Sequence, residues 1–215
     1  MRFLLPAVIA AFGVVYIFFI PPEPVGLKIF MKLIPMVLII GYAALRPRGM
    51  SASYKPIVMA GLFICAVADG VIYWFIAGLV TFLIGHLFYI TAFRKASVRP
   101  MPWSAGAALL VFGIVMAAVV ALPLLSDGNL LGAAVIAYMI VILMMGWTAV
   151  RTGNPYAIAG ALLFILSDSI LAIDKFTVPI PGRDAFVMVP YYAAQFLIAS
   201  SIGFSPGQKT DPRLT

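Results

Sequence analysis

Four ionisable side chains stand inside stretches that are otherwise apolar: Lys32, Asp69, His86 and Asp168. Uncharged polar residues accompany them: Tyr42, Tyr89, Tyr138, Ser167, Ser169, Tyr191, Tyr192 and Gln195. Two carboxyls and an imidazole can do general acid–base work, one group delivering a proton while another accepts one or steadies a cation. The same groups can also hand protons across a membrane. The sequence carries no Walker A or GxGxxG loop, no HExxH or CxxC, and no Gly-x-Ser-x-Gly elbow. Channel filters and arginine-rich voltage sensors are absent too. A single cysteine, Cys65, makes no intramolecular disulfide, and a single histidine makes no His-rich metal site. The expectation is therefore a site without metal or cofactor.

The elements that must position these groups follow from composition. The 215 residues are 64% hydrophobic and 10% charged, with a mean hydropathy of +1.14. A soluble domain is about 25% charged, so this is an integral membrane protein. A crossing needs about 20 apolar residues. Eight candidate spans fit, at 3–20, 27–45, 56–72, 74–93, 104–125, 129–147, 155–173 and 185–204. Breakers such as Pro21-Pro22-Glu23-Pro24 and Arg46-Pro47-Arg48-Gly49 separate them. Residues 56–93 form one nearly unbroken apolar stretch, too long for one crossing and suited to a tight hairpin. The first span, behind Arg2, is read as a helix and not a signal peptide, because no small-residue cleavage site precedes Pro21. The predicted fold is an all-α bundle of eight transmembrane helices in one domain, 1–204. A short polar tail, 205–215, completes it.

Charge gives the direction. The net charge of +7 would suggest nucleic acid in a soluble chain; in a membrane protein it reports cytoplasmic loops, and no nucleic acid partner is expected. With eight spans, ten of the fourteen Lys and Arg fall on the face that carries both termini. Lys28, Lys32, Lys175 and Arg183 fall on the other. Both termini are accordingly expected in the cytoplasm, in the cell (inner) membrane of a bacterium.

At 1.5 Å per helical residue, Asp69 and Asp168 lie about 20 Å in from the cytoplasmic face. His86, Lys32, Tyr191 and Gln195 come down from the other face by about 8 to 17 Å. All six share one slab, which a cavity in the bundle explains better than coincidence. Gly61 precedes Asp69 by eight residues and Gly160 precedes Asp168 by eight, a weak sign of a four-plus-four parallel repeat. Plainer readings exist for each residue. Asp69-Gly70 suits a hairpin turn, and His86 with Tyr89 at i+3 suits a structural hydrogen bond. Lys28 or Lys32 could snorkel, and Tyr191, Tyr192 and Gln195 could be interhelical glue.

Three stretches resemble the YhhN-type lysoplasmalogenase family. They are Gly160 to Ser169, which contains Ser167-Asp168; Phe75 to Gly78 leading to His86-Leu87-Phe88-Tyr89; and Tyr191-Tyr192-Ala193-Ala194-Gln195. The eight-span layout matches too. Two places depart from the pattern: Ala68-Asp69 where the family has Gly-Asp, and Lys32-Leu33, with Pro35 displaced, where it has Lys-Pro. The resemblance implies hydrolysis of the vinyl ether bond of a lysoplasmalogen, with a lysophospholipid and the bilayer as partners. It implies Asp69, Asp168 and His86 as catalytic groups. Lys32 would meet the phosphate, and Tyr89, Ser167, Tyr191, Tyr192 and Gln195 would line the substrate. A proton-coupled transporter or sensor of a small amphiphile is the alternative that the same buried groups would serve.

Overall fold

In a bilayer every backbone N–H and C=O must find its partner within the segment, so apolar runs of this length become helices. The computed structural model describes residues 4–49, 51–126, 128 and 131–204. Its helices are α1 (Leu4–Phe19), α2 (Val25–Leu45), α3 (Tyr54–Val71), α4 (Phe75–Ala96), α5 (Trp103–Ser126), α6 (Leu131–Thr152), α7 (Pro155–Phe176) and α8 (Arg183–Ser200), followed by a 3₁₀ turn, Ser201–Gly203. Seven of them are long and apolar enough to cross a membrane; α1, with 16 residues, is shorter and equally apolar. The chain is a multi-pass membrane protein. The expected tail, 205–215, lies outside the described residues.

Two antiparallel hairpins form the centre. In the first, α3 meets α4 through glycines. A Cβ at Gly61 would stand 2.5 Å from the Tyr89 ring, and one at Gly85 would stand 2.7 Å from Cys65 Sγ. In the second, α7 meets α8 where a Cβ at Gly160 would lie 3.0 Å from the Ala194 carbonyl oxygen. Gly61 and Gly160, eight residues before the two aspartates, thus do the same work: each lets the following helix approach its backbone. Helix α2 packs on α3 and α8, α6 on α4 and α7, α1 on α2 and α8, and α5 on α6.

Local chemistry fixes the ends. Asn154 caps α7, accepting from the N–H groups of Tyr156 (3.0 Å) and Ala157 (3.4 Å), with Pro155 at the first helical position. Helices α4 and α6 run three and five residues past the expected ends, into Arg94-Lys95 and Arg151. Cations end the apolar stretch but not the helix, because the last turn welcomes positive charge. Pro123, inside α5, cannot donate to the Val119 carbonyl. A π-helical segment (Ala117–Ala121) precedes it, and Thr177 Oγ1 donates to that carbonyl at 3.4 Å.

Candidate active site

Asp69 belongs to the last turns of α3, not to the hairpin turn, which is Ile72 to Trp74. Its side chain is 1% exposed. Lys32, on α2, sets its ammonium 2.8 Å from Asp69 Oδ1, and the Tyr191 hydroxyl of α8 donates to Oδ2 at 2.5 Å. Gln195, one turn further along α8, donates from Nε2 to the Tyr191 oxygen at 3.2 Å. Its Oε1 accepts from Tyr89 of α4 at 2.7 Å. Lysine, carboxylate, phenol, amide and phenol thus form one chain across four helices. A buried network of this kind holds its members rigidly when every one is paired.

Asp168 is held differently. It lies on α7, and its hydrogen-bond donor is the hydroxyl of Tyr138 on α6. Among the described residues no cation pairs with it. The walls around it are Val135, Ile165, Leu171, Ala172 and Phe176. One carboxylate is therefore matched by a lysine, and the other faces a phenol and hydrocarbon.

His86, fully buried on α4, lies between the two. Its ring centroid is 5.5 Å from that of Tyr138 and 4.6 Å from that of Phe164, which in turn is 5.4 Å from Tyr191. Nδ1 is 2.6 Å from the Phe82 carbonyl, which can only accept, so Nδ1 carries the hydrogen. Nε2 is then left as an acceptor, buried and with no hydrogen-bond partner among the described residues. An orphaned buried acceptor invites a water or a substrate proton.

The remaining expected residues have structural partners. Ser167 donates to the Val187 carbonyl at 2.9 Å, tying α7 to α8 one turn before Pro190, which lies inside α8. Tyr192 donates to the Lys32 carbonyl at 2.9 Å. Tyr138 is one polar residue among several in the sequence, and its contact with Asp168 alone gives it a role. Its signal was depth: Tyr138 and Asp168 lie seven and eight residues from the same end of antiparallel neighbours.

Three cavities adjoin these groups. The largest, about 480 Å³, opens at the end of the bundle opposite the Arg/Lys-rich loops; Lys28, Lys32, Asp69, Lys175, Arg183 and Asp184 are among its lining residues. Ile72, Phe75 and Leu171 separate it from a small cavity of about 50 Å³. Asp168 and Tyr138 border that one and a second of the same size that reaches Phe112 and Met116 of α5. A polar mouth, a neck and an apolar exit follow one another, a shape suited to an amphiphile.

The sequence profile of the YhhN family matches residues 27–202, every element from α2 to the last 3₁₀ turn. The chain belongs to the YhhN family. Relatives agree with it at moderate identity and over most of their length. Lysoplasmalogenase TMEM86B of Homo sapiens is 34% identical over 187 residues, covering 84% of this chain and 77% of its own. Lysoplasmalogenase TMEM86A of Bos taurus is 33% identical, covering 74% and 70%. TMEM86B of Sus scrofa, also a lysoplasmalogenase, is 31% identical, covering 92% and 85%. No solved structure matches the chain. All the site residues of this YhhN protein lie within the matched range.

Proposed function

We propose that the protein is a membrane-embedded hydrolase that cleaves the vinyl ether bond of lysoplasmalogens, giving a fatty aldehyde and a glycerophospho-alcohol. The observation that carries this reading is the unequal pair of carboxyls around one imidazole, in a YhhN chain whose relatives are lysoplasmalogenases. A vinyl ether is opened by protonating its β-carbon. The resulting oxocarbenium ion takes up water, and the hemiacetal collapses to aldehyde and alcohol. Glycoside hydrolases manage a similar cation with two carboxyls.

Each role follows from what its group touches. A carboxyl among hydrocarbon walls, with a phenol and no cation beside it, is carried most cheaply in its proton-bearing form. Asp168 is the proton donor, and Tyr138 is the positioning residue that aims it. Asp69, charge-matched by Lys32, is the fixed anion that steadies the cation. The free Nε2 of His86 takes the proton of the attacking water. That proton returns to the glycerol oxygen as the hemiacetal opens, and the hemiacetal hydroxyl proton, released as the aldehyde C=O forms, restores Asp168. Tyr89, Tyr191 and Gln195 hold Asp69, while Ser167 and Tyr192 hold α7, α8 and α2 in register around the substrate. The basic loops at one end support both termini in the cytoplasm of a bacterial cell, with the mouth on the far side of its inner membrane.

Aldehyde release from a lysoplasmalogen by purified protein in detergent micelles tests the reading, with Asp168→Asn as control. Product from the wild type alone is expected. Equal product from both would remove Asp168 from the reaction, and none from a well-folded wild type would remove the hydrolase.

A further inference from the structure

The mouth of the large cavity holds four cations, and three are already matched. Lys32 pairs with Asp69 at 2.8 Å, Lys28 with Asp184 at 2.9 Å, and Arg183 with Asp174 at 3.3 Å. The fourth, Lys175, has no carboxylate among the described residues; its ammonium rests 5.2 Å above the Phe75 ring. It is the unneutralised charge of the cavity, exposed at the mouth. The geometry points to Lys175 as the anchor for the phosphate of the substrate's headgroup, a role that Lys32, occupied by Asp69, does not fill.

Helix geometry supplies the second line of support. Lys175 follows Asp168 by seven residues on α7, which is 20° short of two turns and a rise of about 10 Å. The two side chains share one face, and Leu171, midway between them, borders both the mouth and the neck. In an alkenyl-glycerophospholipid the phosphorus is seven bonds from the vinyl carbon that is protonated. At about 1.2 Å of advance per bond in an extended chain, that is about 8 Å. A phosphodiester on Lys175 thus brings the vinyl ether to the level of Asp168, with the hydrocarbon tail continuing toward Met116 and Phe112. A lysophospholipid has one headgroup anion and the mouth has one spare cation.

This inference rests on the proposed substrate class, so its test is a binding measurement that does not require turnover. The probes are a saturated-ether lysophospholipid and the matching alkylglycerol, which lacks the phosphate, titrated into purified full-length protein. Lys175→Gln should weaken the lysophospholipid at least about tenfold, the loss of one charge-assisted contact. It should shift the alkylglycerol less than about twofold, and Lys175→Arg should restore most of the affinity. Equal weakening of both ligands, or of neither, would overturn the headgroup site. A selective loss in a protein that releases no aldehyde would keep the phosphate anchor and refute the hydrolase alone.

Discussion

Replacing Lys32 by Met removes the cation from Asp69 and leaves a carboxylate that is 1% exposed with one phenol for company. Breaking a buried pair from one side costs about 3–5 kcal/mol, because the surviving charge stays buried. The Lys32 side chain is itself only 14% exposed, so solvent screens the pair little. Asp69→Asn should cost less, about 1–3 kcal/mol, since the freed ammonium lines the open mouth. The double variant carries neither charge, and its amide oxygen still accepts from Tyr191. It should lie within about 2 kcal/mol of the wild type, a coupling of at least about 2 kcal/mol between the two sites. For a chain of this size 1 kcal/mol moves Tm by about 2–4 °C. Lys32→Met should therefore melt roughly 6–20 °C lower in detergent, and the double variant should recover most of that. Tryptophan fluorescence during heating reads it directly. Neither the single nor the double variant should turn over substrate, because the fixed anion is lost or mispaired. Additive losses in the double variant would refute the coupled pair, and with it the assignment of Asp69 as a matched anion.

Three further outcomes follow from the same contacts. Tyr138→Phe removes the hydroxyl that holds Asp168 and should lower kcat about 10- to 100-fold with KM little changed, read by steady-state aldehyde release. Gly61→Ala places a methyl 2.5 Å from the fully buried Tyr89 ring, which cannot swing away without leaving Gln195. A loss of about 1–3 kcal/mol in thermal denaturation, with a matching fall in turnover, is expected. Asn154→Ala uncaps α7 and strips the Ser201 carbonyl of a 3.0 Å donor, at the end of the bundle away from the mouth. Stability should fall by about 2 kcal/mol while kcat at low temperature stays within twofold of the wild type.

The helices of the described residues were legible because length and hydropathy suffice to read an apolar helix: each overlaps its expected span, and α4, α6 and α7 overrun theirs where Arg or Lys extends the last turn. The hairpin at residues 72–74 was legible from the sheer length of 56–93. The candidate groups were legible for a related reason, since ionisable residues are rare in apolar helices and each one stands out. Their pairing was not. Depth places Lys32 and Asp69 at similar levels but says nothing of which helices are neighbours, so the ion pair between them shows only in the structure. Tyr138 escaped because a tyrosine in an apolar helix is common and only its contact with Asp168 distinguishes it. Lys175 escaped because a cation at a helix end counts as loop charge until the carboxylates that neutralise its neighbours are located. Ser167 stood beside Asp168 in sequence, yet neighbours on a helix point about 100° apart, and its hydroxyl serves α8.

The central claim is that Asp168 delivers a proton to carbon. Hydrolysis of a lysoplasmalogen in heavy water, with the aldehyde trapped as it forms, tests it. One deuterium on the carbon next to the aldehyde carbon, and no labelled product from Asp168→Asn, is the predicted result. An aldehyde without deuterium there, or labelled aldehyde released undiminished by the variant, would contradict it.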